Sequence, residues 1–327
     1  YCIFTYRLEN MIFNKFFILF KIGRKIGKSN IINIVSETHK IPVFIKLFFN
    51  LLAFSFSSSN NTKSKGKENL SESIQEMGTT FIKLGQFLAT RPDIIGEKLS
   101  KELESLQDKL PPFSKKEAEK IIIENLGQSN FDDIIDLSEP IAAASIAQVH
   151  KAKIKEDNII KNVAIKVLRP NIKKIFNDEI DAIMLLAYIV ESLISKTKRL
   201  KLIEVVFLFK EITNHEMDLR FEAAAANEYA ENTKNDLGFF VPKIYWNFTS
   251  ESVLTLDWVD GVSIREKDLL KEKNIETSKI ATNLIQHFLR HAVRDGFFHA
   301  DMHQGNIFIN ESSQIVPIDF GIMGRID

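Results

Sequence analysis

Asp301 and Asn306 lie in "HADMHQGN", Asp319 lies in "IDFG", and Lys166 closes the upstream run "VAIK". The H-x-D-x-x-x-x-N spacing puts Asp301 and Asn306 on one tight loop, the first placed to orient a hydroxyl or water, the second to hold a divalent ion. Asp319 adds a hard oxygen ligand suited to Mg²⁺ bridging phosphates, and a strand lysine such as Lys166 steadies α- and β-phosphates. The chemistry of this set is phosphoryl transfer from ATP (or ADP binding) with Mg²⁺, with Asp301 catalytic and Asn306 and Asp319 as metal ligands. His299, Asp301 and His303 would also share one face of an extended strand, a spacing that suits zinc. Asp319 tips the balance to phosphate, because in "IDFG" it supplies the carboxylate for Mg²⁺ bridging the phosphates.

A phosphate loop should precede Lys166, and "IAAASIAQV" stands there. Aligned on Val149, Ala142, Ala144 and Ala147 fall on the three glycine slots of the G-x-G-x-x-G-x-V loop of protein kinases. Ile141, Ala142, Ala143, Ala144, Ser145, Ile146, Ala147, Gln148 and Val149 are therefore the candidate ATP-binding residues beside Lys166. Glycine lets backbone amides approach phosphate and permits φ > 0, whereas a Cβ obstructs both. The alanines predict a helical or tighter loop that disfavours transfer to a protein hydroxyl. The acidic partner of Lys166 is not fixed by spacing: Glu179 and Glu191 follow Pro170, and Glu216, Asp218 and Glu222 lie in "EMDLRFEAAAANE", read as part of one amphipathic helix.

Several elements must position these groups. Ile74, Met77, Phe81, Leu84 and Leu88 repeat at helical steps, with Gly85 inside the pattern implying a close neighbour. "SIAQVHKAKI" and "NVAIKVLRP" read as strands. Helical patterns follow over 175–194 and 202–232, and "VPKIYWNFTSESVLTLDWV" reads as two strands with a turn at 249–251. Residues 262–296 are mainly helical, and a loop with two short strands closes the chain. This order suggests an α+β, two-lobed architecture. The reading divides the chain into a basic apolar segment (1–60), a helical extension (61–135), an N-lobe with an insertion (136–260) and a partial C-lobe (261–327).

The totals exclude some classes. Lys plus Arg and Asp plus Glu are both 43 among 327 residues, so no global field points to nucleic acid. The single cysteine, Cys2, excludes an intrachain disulfide framework. The apolar runs between Met11 and Phe56 are interrupted by Lys15, Lys21, Lys46 and Asn50. Each is shorter than the roughly 20 residues that cross a bilayer. No signal-peptide cleavage pattern follows them. They suit a helix lying on an anionic membrane surface, and equally a pair of core helices. The start at Tyr1 and the end at Asp327 read as those of a fragment.

"KLGQ", "AAASIAQVHKA", "VAIKVLRP", "EMDLRFEAAAANE" and "FFHADMHQGNIFI" together resemble the UbiB family of atypical kinase-like proteins, linked to ubiquinone biosynthesis. The resemblance implies a protein-kinase-like fold with an N-terminal helical extension over the active site, and a C-terminal lobe incomplete in this chain. It implies that Lys83 and Gln86 of "KLGQ" point into the nucleotide site, that Glu216 and Asp218 form an E-x-D element with Glu216 near Lys83, and that Glu222 pairs with Lys166. Gln304 stands where the family commonly has proline. The implied function is an ATPase or small-molecule kinase serving ubiquinone assembly, with a lipid surface, quinone-biosynthesis enzymes or polyprenyl intermediates as partners. Its expected location is the cytoplasmic face of a bacterial-type inner membrane, peripheral or held by a further C-terminal part. The rivals are a protein kinase regulating those enzymes and a nucleotide-binding scaffold without turnover.

Overall fold

The computed structural model describes residues 17–27, 70–106, 110–193 and 195–326. In chain order the helices are α1 (17–27), α2 (Leu70–Met77), α3 (Thr79–Ala89), α4 (Pro92–Ile95), α5 (Glu97–Glu104), α6 (Lys115–Leu126), α7 (Gln128–Asp132), α8 (Ile172–Leu193), α9 (Leu202–Glu216), α10 (Leu219–Thr233), α11 (Lys267–Glu272) and α12 (Thr277–Arg290). The strands are β1 (Ile134–Ile135), β2 (Pro140–Ala143), β3 (Ala147–Glu156), β4 (Ile159–Leu168), β5 (Val253–Asp257), β6 (Gly261–Ser263), β7 (Phe297–His299), β8 (Ile307–Asn310), β9 (Ile315–Pro317) and β10 (Met323–Arg325). The α+β expectation holds. Two compact units form, one from residues up to Leu110 with Asn171–Asn214, the other from Pro111–Pro170 with His215 onward.

The first unit is helical. The periodic residues of the extension turn inward: Leu70, Ile82, Leu99, Leu103 and Leu106 make one core, and Ile22, Met77, Phe81 and Ala182 another. Gly78, at φ 103°, separates α2 from α3, a backbone state that a side chain would strain. Gly85 is close-packed as its position in the pattern implied, since a Cβ there would sit 3.2 Å from Leu106 and 3.4 Å from Ile74. Helix α1 is the described part of the basic N-terminal segment, and Ile18, Leu19, Ile22 and Ile26 pack against this core. The other residues of the 1–60 segment lie outside the described ones. The insertion 171–214 packs with this helical unit, whereas 111–135, read from sequence with the extension, belongs to the sheet-bearing unit.

The second unit is built on an antiparallel sheet in the order β1-β3-β4-β5, with β2 pairing β3. Alternation along the strands divides its two faces. Ala152, Ile154, Val163, Ile165, Val167 and Val253 form a dry face with Ile122 of α6, Tyr245 and Phe248. Burying each such aliphatic side chain is worth about 1.5–3 kcal/mol. Helix α6 starts on a capping box, in which Ser114 accepts from the Glu117 amide and Glu117 accepts from the Ser114 amide. The rest of the unit adds the antiparallel β6-β8-β9 and β7-β10 ladders.

Two expectations need correction. The helix read across 202–232 is two helices, because Asp218 leaves helical geometry and caps α10 by accepting from the Arg220 amide. Glu216 and Glu222 are therefore not on one continuous helix. Of the two strands read in 241–259 only β5 is regular. The preceding stretch pairs at the single bridge Ile244↔Leu256 and then turns through a 3₁₀ segment at Trp246–Phe248.

Candidate active site

Lys166 lies in the middle of β4, paired with Val149 on one side and Leu254 on the other. Its neighbours Ile165 and Val167 face the dry core, so the lysine faces the opposite side with Val149. There its Nζ donates to Glu222 Oε1 at 2.8 Å, to Glu222 Oε2 at 2.9 Å and to Asp319 Oδ2 at 3.3 Å. Glu222 is the partner among the five acids that spacing left open. Glu179 stands 3.8 Å from Lys25, Glu191 accepts from the Ile203 amide, and Asp218 holds the Arg220 guanidinium at 2.9 and 2.6 Å.

Burial and charge act on this cluster in opposite directions. Burial pulls the Lys166 ammonium down, but Asp319 and Glu222 outweigh it and hold its pKa above the ordinary value. Burial pushes the Glu222 carboxyl up, against the pull of Lys166 and with the push of Asp319. Lys166 is the main reason that the Asp319 carboxyl is lowered to about 2. One ammonium thus faces two carboxyl groups, and the Asp319 side chain is 44% exposed, open to a cation.

The H-x-D-x-x-x-x-N loop follows β7. Asn306 Nδ2 donates to Asp301 Oδ2 at 3.2 Å and to the Asp301 carbonyl at 3.3 Å. This orientation leaves the Asn306 amide oxygen as its ligand atom. Gln304 in place of proline leaves the two residues in register, with Ser263 Oγ donating to the Gln304 carbonyl at 3.1 Å. Buried His299 is a strut: Nε2 donates to the Asp319 carbonyl at 2.5 Å, and Nδ1 accepts from the Asp301 amide at 3.2 Å. Both ring nitrogens are thus occupied, which removes His299 from any zinc set and fastens Asp301 and Asp319 together. The Asp319 carboxylate is itself oriented by the Gly321 amide at 3.0 Å.

The alanine segment is neither helix nor open loop. Strands β2 and β3 form a hairpin closed by Ala144 N–H donating to the Ala147 carbonyl at 2.8 Å. None of Ala142, Ala144 and Ala147 has positive φ, so glycine is not required at any of them. The helical alternative is overturned and the tighter one describes the backbone. Arg169, at the end of β4, clamps the turn: its guanidinium donates to the Ala144 carbonyl at 2.7 and 3.1 Å and its amide to the Ile146 carbonyl at 2.8 Å.

The expected loop residues divide by face. Val149 shares the Lys166 face. Ile141 is exposed, Ala143 is half-buried, and Ser145 and Ile146 are buried in the turn. Gln148 faces the core side, where it bonds both backbone groups of Phe113 (3.0 and 3.2 Å) and His150 Nε2 (2.9 Å). Its side chain is thereby committed to packing, and only its backbone belongs to the hairpin. Lys83 and Gln86 lie on α3 of the helical unit, and Glu216 ends α9. Sequence reasoning missed Arg169, the turn clamp. The signal was the Arg-Pro that ends "VAIKVLRP".

Residues 105–327 match the ABC1 atypical kinase-like domain, more than half of the chain. The chain belongs to that family. Among its relatives, "Probable protein kinase UbiB" of Marinobacter nauticus is 35% identical over 292 residues, covering 88% of this chain and 52% of the relative. The protein of the same name from Pseudomonas paraeruginosa is 31% identical over 314 residues, 94% of this chain and 58% of its own length. The chain thus spans little more than half the length of these curated relatives. The solved complex of Rv3197 with erythromycin from Mycobacterium tuberculosis has a similar fold, with TM-score 0.56 and 25% identity over 74% of this chain and 59% of that one. Within the matched residues, Lys166 of β4, Glu222 of α10 and Asp319 come together.

Proposed function

We propose that this chain is the nucleotide-binding part of a Mg²⁺-dependent atypical kinase or ATPase that supports ubiquinone (coenzyme Q) biosynthesis at a membrane surface. The observation that carries the reading is the Lys166–Glu222–Asp319 cluster beside the Asp301–Asn306 pair. The donor set fits Mg²⁺: the Asp319 carboxylate, held well below the usual carboxylate range by Lys166, and the Asn306 amide oxygen are hard ligands. When bound, the ion supplies charge neutralisation on the phosphate oxygens. Glu222 fixes the direction of Lys166, which steadies the α- and β-phosphates. Asp301, held by Asn306, accepts a hydrogen bond from the attacking hydroxyl or water and orients it. The Arg169-clamped hairpin covers this face with methyl groups and leaves less room for a protein hydroxyl. Quinone-biosynthesis enzymes or polyprenyl intermediates are the implied partners. Phe17, Phe20 and Lys21 are exposed on α1 opposite its packed face, which supports a lipid-facing role for that helix. Among the described residues no helix is long and apolar enough to cross a membrane.

The relatives' printed name favours a second reading, transfer to protein. Phosphate release by the purified chain with and without anionic liposomes, run beside ³²P transfer to protein and to extracted lipid, separates the readings. Lipid-stimulated release or lipid labelling supports the proposal, protein labelling alone supports the rival, and nucleotide binding without either leaves the scaffold.

A further inference from the structure

Tyr229 lies seven residues beyond Glu222 on α10, two turns along the same face, and is fully buried. Its hydroxyl donates to His291 Nδ1 at 2.7 Å, and His291 Nε2 donates to Asp236 Oδ2 at 3.0 Å. Arg294 grips both Asp236 oxygens at 2.7 and 2.9 Å and Asp295 at 2.6 and 2.8 Å. His291 and Arg294 belong to a one-turn π-helix, His291–Asp295, a rare form that clusters at functional sites. Gly296 ends it at φ 64° and leads into β7. The Tyr229 ring meets Phe297 of β7 and Phe320 edge-on at 6.2 and 6.4 Å.

We propose that Tyr229 is a positioning residue that ties the helix carrying Glu222 to the segment carrying His299, Asp301 and Asp319, its hydroxyl locked by His291, Asp236 and Arg294. Glu222 and Tyr229 ride on one helix, the Tyr229 hydroxyl bonds His291 of the turn that leads through Gly296 into β7, and the ring of His299 at the end of β7 holds Asp301 and Asp319. A shift of α10 is thereby transmitted to both sides of the phosphate site. Burial lowers the pKa of His291, which keeps the imidazole neutral and able to accept from Tyr229. Asp236, His287 and His291 come close enough together for a metal ion. A metal would have to displace one of the two bonds of His291 and share Asp236 with the Arg294 guanidinium, so the cluster is a mount for Tyr229.

This inference rests on the nucleotide-site reading of Lys166, Glu222, Asp301 and Asp319, and one of its tests does not need nucleotide. In the nucleotide-free chain, amide hydrogen exchange is compared for the parent, Tyr229→Phe and Tyr245→Phe. Tyr245 is a matched control, a buried tyrosine whose hydroxyl bonds Asp257 at 2.6 Å on the other side of the sheet. Tyr229→Phe should speed exchange at least tenfold both in 219–226 and in 297–306, and Tyr245→Phe in neither. Acceleration confined to 219–233 would overturn the tether. Mg-ATP affinity should then fall about tenfold in Tyr229→Phe and less than twofold when Glu222→Gln is already present; equal losses in both backgrounds contradict coupling through Glu222. Should Tyr229→Phe not fold, His291→Leu replaces it, with His291→Gln restoring an acceptor and, on this account, parental exchange in 297–306. A parent that binds no nucleotide contradicts the proposed function, while the exchange result still decides the tether.

Discussion

Two polar networks sit on opposite faces of the same sheet. On the core face, Ser138, His150, Gln148 and Phe113 form a neutral chain in which His150 Nδ1 donates to the Ser138 carbonyl at 2.8 Å and Gln148 joins His150 to the Phe113 backbone. On the other face, Lys166 stands between the carboxyl groups of Glu222 and Asp319. The first network satisfies itself and holds β3 to the start of α6. The second gathers two carboxyl groups around one ammonium, with the Asp319 side chain partly open to solvent. A partly exposed carboxylate beside a buried lysine, more than burial alone, marks the site.

The largest effect should come from removing the cation. Lys166→Met leaves Glu222 buried without its partner, and unfolding in urea should show a loss of about 3–5 kcal/mol together with the loss of nucleotide binding. A loss below about 1 kcal/mol would mean that the carboxylates do not depend on the lysine. His150→Leu breaks the neutral chain and should cost about 1–3 kcal/mol in the same assay, with Mg-ATP affinity within twofold of the parent.

Why one network is readable in the sequence and the other is not follows from its residues. Lys166, Asp301, Asn306 and Asp319 each stand in a short motif whose internal spacing fixes geometry. Glu222 was undecidable from spacing because the Asp218 cap breaks the helix and resets its phase. Gln148 looked like a loop residue, yet strand alternation turns its side chain to the core, a fact visible only once the register with β4 is known. The sheet, α8 and the helical extension were legible through periodicity. The irregular pairing at 243–246 was not, because a single bridge leaves no repeating pattern. Tyr229 bonds the His291 side chain and Arg169 the Ala144 carbonyl, partners distant in sequence that no local pattern records.

A pH titration sharpens the comparison further. His150, His287, His291 and His299 all have lowered pKa values, with burial the leading cause. The unfolded chain binds protons at these sites near the ordinary value of 6.5 while the folded chain does not. Their contribution is therefore intact above about pH 6.5 and is lost as pH falls below it. Urea midpoints between pH 7.5 and 5 should fall, and His150→Leu should make the fall shallower; a midpoint independent of pH contradicts neutral burial.

The smallest effect belongs to the hairpin. Ala144→Gly should cost about 0.5–1 kcal/mol through added freedom in the unfolded chain. The loosened turn should also shift the ratio of ADP to ATP affinity; an unchanged ratio, with no protein labelled by ³²P, would reduce the alanines to plain hairpin formers.

The account stands most directly on separating the two aspartates. Mg-ATP binding by calorimetry, paired with phosphate release, should be measured for the parent, Asp319→Asn and Asp301→Asn. Asp319→Asn should weaken Mg-ATP binding by about 100-fold or more, because it removes a ground-state metal ligand, and Asp301→Asn should bind within about threefold of the parent while turnover stops. Equal losses of affinity in the two variants, or undiminished turnover in Asp301→Asn, would contradict the assignment of this site to phosphoryl transfer.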